Sequence, residues 1–152
     1  MYLLDTDVLS QSAPAVAGPG LAVRDFVARH GDVCFICAVS VAEVSFGVHW
    51  LLHKGATRRA ASLRAWLNML PEMFPGHIVA VDERVAARAG ELLARARAAG
   101  VEPGLEDAMV AAAGETGGMV VLTRNLRHFL PMGVTALDPF EALPPSPWRP
   151  ET

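Results

Sequence analysis

Tyr2-Leu3-Leu4-Asp5-Thr6-Asp7 sets three apolar residues directly against a polar turn. This is the pattern of a short buried strand whose carboxyl end carries acidic side chains. The form recurs late in the chain, where Met119-Val120-Val121-Leu122 runs into Thr123-Arg124-Asn125. Further strands are expected over residues 33–38, 78–81 and 134–137. Helices are expected to fill the intervals. The first begins near Asp7, a second reaches His30, and a third opens at Ser40 and ends at Gly55, with Val41, Val44, Val48, Leu51 and Leu52 at helical spacing. A fourth, over 58–73, carries Leu63, Trp66, Leu67 and Leu70 on one face, and Pro71 and Pro75 blur its end. A fifth is capped by Asp82 and stopped by Gly100, and the last spans 104–115.

Strands alternating with helices predict an α/β domain, a three-layer sandwich whose mainly parallel sheet is covered on both faces. Such sheets bind ligands beyond the carboxyl ends of their strands. Asp5 and the Thr123-Arg124-Asn125 turn should therefore meet, although they lie at opposite ends of the sequence. One domain over 1–138 is expected. The remainder, 139–152, carries Pro139, Pro144, Pro145, Pro147 and Pro150 and reads as a surface or disordered tail.

The bulk composition agrees with a globular fold: 152 residues, 52% hydrophobic and 19% charged. The longest uncharged apolar stretch, residues 33–42, is about half of the roughly 20 residues that a membrane helix needs. Asp5 and Asp7 interrupt the start where a secretory leader would be apolar, so the cytoplasm is the expected location. Cys34 and Cys37 form a C-x-x-C inside a predicted strand. Positions three apart there face opposite sides, so the pair reads as two small buried hydrophobes. The net charge of −3 does not advertise a nucleic-acid binder. Its basic residues are nevertheless almost all arginine, Lys54 being the only lysine, and arginine's planar fork suits phosphate contacts.

Three acids stand out by their surroundings. Asp5 follows the first strand directly, where it could equally be a helix cap. Glu43 sits among Val39, Val41, Ala42 and Val44, which suggests an enclosed first helical turn, yet its spacing from Ser40 also fits a capping box. Asp107 lies in the first turn of the last helix, beside Glu106, and periodicity does not choose between the two. Singly each is more simply structural. Together they would place several carboxylates at one sheet edge, and clustered carboxylates repel unless a divalent cation joins them. Oxygen-only ligands suit Mg²⁺ or Mn²⁺. Such a centre can generate hydroxide, neutralise an attacked phosphate and stabilise a leaving oxygen.

Four segments, in order, resemble the motifs of PIN-domain ribonucleases, in particular the VapC and FitB-like toxins of toxin–antitoxin pairs. They are Leu3-Leu4-Asp5-Thr6-Asp7-Val8-Leu9-Ser10, then Ser40-Val41-Ala42-Glu43-Val44 with Phe46-Gly47, then the run from Gly104 to Ala112, and finally the run from Val120 to Phe129. The resemblance covers residues 1 to about 138. It implies an α/β/α domain, Mg²⁺ or Mn²⁺ at a carboxylate cluster, and an RNA substrate. It also implies homodimerisation and inhibition by a cognate antitoxin. By motif, Asp5, Glu43 and Asp107 become the metal-binding acids, which resolves Glu106 against Asp107, while Thr123 and Asn125 close the site. Two positions depart from the family: Asp7 stands where Asn is usual, and His128 where an acid is frequent.

Two rival readings follow from the same residues. Asp5-Thr6-Asp7 has the Asp-x-Asp form of haloacid-dehalogenase-type phosphatases, with Asp5 as nucleophile and Asp7 as acid and base. That chemistry also wants a lysine near the phosphate, whereas Lys54, the sole lysine, lies in a glycine-adjacent segment with no strand before it, and no late acidic pair appears. Alternatively the chain is a non-catalytic PIN-like scaffold that binds an antitoxin or RNA.

Overall fold

The computed structural model describes residues 1–13, 18 and 20–145. Five strands, β1 (Tyr2–Leu4), β2 (Cys34–Cys37), β3 (Ile78–Val79), β4 (Val120–Leu122) and β5 (Ala136–Leu137), form one sheet in the order β3-β2-β1-β4-β5. Every neighbouring pair is parallel. β1 is central, with Tyr2 level with Cys34 on one side and with Val120 on the other. Strands enclosed on both faces favour unbroken apolar runs, and the three inner strands, Tyr2-Leu3-Leu4, Cys34-Phe35-Ile36-Cys37 and Val120-Val121-Leu122, are such runs.

Helices α1 (Thr6–Leu9), α2 (Gly20–Arg29), α3 (Ala38–His53), α4 (Thr57–Met73), α5 (Glu83–Ala98), α6 (Leu105–Thr116) and α7 (Leu126–Phe129) complete a three-layer α/β/α arrangement. Two apolar cores lie on the two sheet faces. Leu3, Cys37 and Val121 pack with Val85, Ala89 and Leu92 of α5 and the alanines of α6. Tyr2, Leu4, Cys34, Ile36 and Leu122 pack with Phe26 of α2 and Trp66 and Leu70 of α4. Successive strand residues thus feed opposite cores, as a period of two requires. Cys34 and Cys37 fall in different cores as free thiols. Burial pushes Cys34 up to about 12 and raises Cys37 as well, so both stay protonated and inert.

The structure departs from the sequence reading mainly at element ends. The edge strands are shorter than expected: β3 spans two of the four residues expected, and so does β5. An edge strand pairs only as far as its single neighbour reaches. Helix α3 starts at Ala38, straight out of β2, with Cys37 as a cap residue that lends no side-chain bond. Ser40 therefore lies inside the first turn and is buried. Helix α4 passes through Pro71 to Met73. The proline forfeits one backbone bond, and burial of Leu70 and Phe74 on either side of it holds the last turn. Residues 139–145 return towards the sheet: Pro139 and Pro144 are buried, and Tyr2 Oη donates to the Pro145 carbonyl at 2.9 Å. The rest of the expected proline-rich tail, 146–152, lies outside the described residues.

Helix α6 positions one acid of the site, and it lies close over the sheet because residue 114 has no side chain. A Cβ on Gly114 would stand 2.7 Å from Val121 Cγ2. Gly114→Val is expected to destabilise the fold by about 1–3 kcal/mol or more through overpacking. It should lower the urea midpoint at unchanged slope. An unchanged midpoint would show that α6 is not seated this tightly.

Candidate active site

Asp5 leaves the end of β1, where its amide donates to the Leu122 carbonyl at 3.0 Å. Its side chain is 7% exposed. Oδ1 accepts from the Thr6 amide at 2.8 Å, capping α1, and Oδ2 accepts from Thr123 Oγ1 at 2.7 Å. Asp5 is thus both the cap that its position suggests and a buried acid at the sheet edge. Thr123 leaves the neighbouring strand β4 and also accepts from the Asn125 amide at 3.0 Å. The two strand ends are joined by side chains as well as by the ladder.

Glu43 does not make the capping box that its spacing from Ser40 allows. It accepts a short hydrogen bond from Thr6 Oγ1, which stands 2.8 Å from Ser40 Oγ. Thr6 is the residue that the sequence reading passed over. Its signal was its place inside the polar turn, between two acids. The helix around Glu43 is also less enclosed than its apolar neighbours imply, because Ala42 is exposed and Glu43 half-buried. Glu43 lines an open groove of about 610 Å³ with Thr6, Ala42, Phe46 and Glu106.

Asp107 is held on the other side of the cluster. Its Oδ2 accepts from the Gly104 amide at 3.3 Å, closing the first turn of α6, and lies 2.8 Å from His128 Nδ1. The Asn125 side-chain amide nitrogen lies 2.6 Å from the same ring nitrogen. A nitrogen that donates to the carboxylate cannot also accept from an amide, and beside an acid the ring proton belongs on Nδ1. Asn125 consequently touches the acids only through His128, and His128 is a partner of Asp107 instead of a free turn residue. Asp7 completes the edge. Its Oδ2 accepts from the Arg124 amide at 3.4 Å and from Arg124 Nε at 3.2 Å, while Oδ1 is buried with no hydrogen-bond partner among the described residues.

The electrostatics follow from this crowding. Burial pushes the Asp5 carboxyl up to about 7; the charges of Asp7 and Asp107 add to the rise, and the Thr123 and Thr6 hydrogen bonds oppose it. Burial also raises Glu43, aided by Glu106, Asp107 and Asp7 and opposed by Thr6. Among the described residues no three His, Cys, Asp or Glu side chains converge on one point in this arrangement, because Glu43 and Asp107 are turned to Thr6 and His128. The donor set nevertheless fits a hard divalent cation. It offers carboxylate oxygens that repel one another, and the unsatisfied Asp7 Oδ1 is aimed at no protein donor.

An acid whose folded value lies above its unfolded value near 4 keeps the folded state the more protonated between about pH 4 and 7. Stability present at low pH is therefore lost as the pH rises through that window. In EDTA the melting temperature is expected to fall from pH 4 to 7, and Asp5→Asn should flatten the fall. The comparison with Asp5→Asn isolates the effect from Glu115, which the Arg88 ion pair holds low and which acts in the opposite sense. Parallel profiles for the two proteins would refute burial of the Asp5 charge.

Comparison with known proteins bears on the same residues. The family model described as PIN domain matches residues 2–130. The plasmid stability protein StbB of Pseudomonas syringae pv. tomato is 34% identical over 145 residues, covering 93% of this chain and all of that protein. Toxin FitB of Neisseria gonorrhoeae is 31% identical over 141 residues, covering 92% of this chain and 99% of its own. The crystal structure of FitAcB from Neisseria gonorrhoeae superposes with a TM-score of 0.78 at 27% identity, covering 92% of this chain and 99% of that one. The parallel sheet, the acids at its carboxyl edge and these likenesses along nearly the whole sequence agree: the chain belongs to the PIN domain family.

Proposed function

We propose that this protein is a metal-dependent endoribonuclease and the toxin of a toxin–antitoxin pair. The observation that carries the reading is the crowding of Asp5, Asp7, Glu43 and Asp107 along the carboxyl edge of the sheet, near enough for their charges to raise Asp5 and Glu43, with Asp5 buried and Asp7 Oδ1 unsatisfied among the described residues. In this reading Asp5, Glu43 and Asp107 hold Mg²⁺ or Mn²⁺. When bound, the ion supplies Lewis-acid chemistry for phosphodiester hydrolysis that leaves a 5′-phosphate and a 3′-hydroxyl.

The remaining work falls to this chain's own side chains. Thr123 and Thr6 hold Asp5 in one orientation. His128 holds Asp107, and the Asn125 side chain lies against the same ring nitrogen. Arg124, with Asp7 as its partner, and Arg127, within 3.3 Å of Asn125 Oδ1, stand at the same edge to position the RNA backbone. A cognate antitoxin is proposed as the partner because a relative is named toxin FitB and the superposed structure is the FitAcB assembly. A homodimer and a cytoplasmic location complete the proposal. No helix among the described residues is long and apolar enough to cross a membrane.

The phosphatase reading loses its required lysine. Lys54 caps the far end of α3 and lies over the Trp50 ring, not beside Asp5.

The test is incubation with total bacterial RNA and Mn²⁺, followed by mapping of new ends. New 5′-phosphate ends are expected, and EDTA should abolish them. Asp5→Asn and Asp107→Asn should each cut the rate at least about 100-fold, on the scale of a few kcal/mol of lost charge stabilisation, with the fold intact. Cleavage that survives either substitution overturns the assignment. RNA binding without cleavage by the native protein would favour the scaffold reading.

A further inference from the structure

Helix α3 and its C-cap carry Glu43, Phe46, Trp50 and Lys54 at spacings of three, four and four, within about 80° of one face and over about 16 Å. Phe46 is 67% exposed and Trp50 49% exposed, which leaves the two largest rings of the helix largely open to solvent. Their planes lie within 13° of parallel, with centroids 6.1 Å apart. Phe46 lines the groove of about 610 Å³ that Glu43 and Glu106 also line, so the first ring opens directly onto the acid cluster. At the other end Lys54 Nζ stands 5.0 Å from the Trp50 ring centroid. Arg58 and Arg59 follow in the first turn of α4, and Lys54, Arg58 and Arg59 form no ion pair among the described residues.

We propose that Phe46 and Trp50 are a stacking platform for unpaired bases of the RNA whose phosphodiester is cut at the acid cluster, with Lys54, Arg58 and Arg59 receiving the phosphates beyond it. The inference rests on the nuclease reading and deepens it. A line that runs from the proposed cation-binding carboxylates through two flat rings to cations without an ion pair among the described residues matches the chemistry of one nucleic-acid strand. Phosphates are anionic at both ends, and every base offers a π-face between them. An apolar protein segment would satisfy the rings but would leave the carboxylates and cations at either end without partners. Single strands are also the form of RNA whose bases are free to stack on side chains.

Binding is read separately from cleavage. A labelled single-stranded oligoadenylate 12-mer, and the same backbone with abasic positions, are titrated by anisotropy and by tryptophan fluorescence onto the full chain carrying Asp5→Asn, in Mn²⁺. Phe46→Ala in that background is expected to weaken the adenylate by about 5- to 150-fold per stacked base, with little change for the abasic strand, and Phe46→Tyr should restore it. Quenching of tryptophan fluorescence by the adenylate should disappear in Trp50→Phe. Both rings are exposed, so these variants should melt as the parent does.

Equal weakening of adenylate and abasic strands, no adenylate binding at all, or loss confined to affinity for a protein partner would each overturn the platform. With Asp5 intact, Asp5-dependent cleavage that is indifferent to Phe46→Ala would overturn it while leaving the nuclease reading standing. Base-dependent binding without any cleavage would overturn the nuclease reading alone.

Discussion

The hydroxyl of Thr123 donates to the Asp5 carboxylate at 2.7 Å, across 118 positions of sequence. Much of the site's geometry depends on that bond. It ties the ends of the two inner strands at their carboxyl edge, and it fixes one oxygen of the most buried acid. The other oxygen is then free to cap α1, which sets the path of the chain through Thr6 and Asp7. Thr6 in turn fixes Glu43 on α3, and the Arg124 contact with Asp7 leads back to the turn that follows Thr123. A single buried hydroxyl thereby organises three separate segments around one carboxylate.

The opposing constraint is charge. Four acids from α1, α3, α6 and the end of β1 are brought close enough that Asp5 and Glu43 both hold their protons more tightly than free carboxyls do. A fold selected for stability alone would place apolar groups there, since clustered buried charges cost more than they return. The polar partners that surround the cluster soften the repulsion without removing it. His128 does so for Asp107 and Arg124 does so for Asp7, each on one oxygen only. The residual repulsion is what the proposed cation would relieve.

Much of this was legible in the sequence because the inner strands are short, uninterrupted apolar runs that each end in a polar residue or a helix. Tyr2-Leu3-Leu4 and Val120-Val121-Leu122 declare both their burial and their direction. Cys34 and Cys37 could be assigned to opposite faces from spacing alone. What remained hidden was decided by tertiary neighbours. The edge strands β3 and β5 are as long as one partner allows, which no local pattern records. Ser40 and Glu43 have the spacing of a cap, but α3 begins two residues earlier because β2 feeds it without a break, so Glu43 turns to Thr6. Similarly, Asp107 and Glu106 are adjacent and chemically alike. Periodicity does not separate them and the motif resemblance names only Asp107; the packing of α6 and α7 is what turns Asp107 to His128 and Glu106 to the groove.

The sheet order has a consequence for synthesis. β1 precedes the other four strands of its sheet and lies at its centre, yet the Thr123 that secures Asp5, at the end of its partner β4, follows 118 positions later. At about 5–20 residues per second, about 6–24 s separate Tyr2 from Leu122 on the ribosome. During that interval β1 has β2 on one edge and an open ladder on the other. The acid centre cannot assemble on the emerging chain. Its assembly waits on β4, so for the whole of that interval Asp5 is without the hydroxyl that holds it.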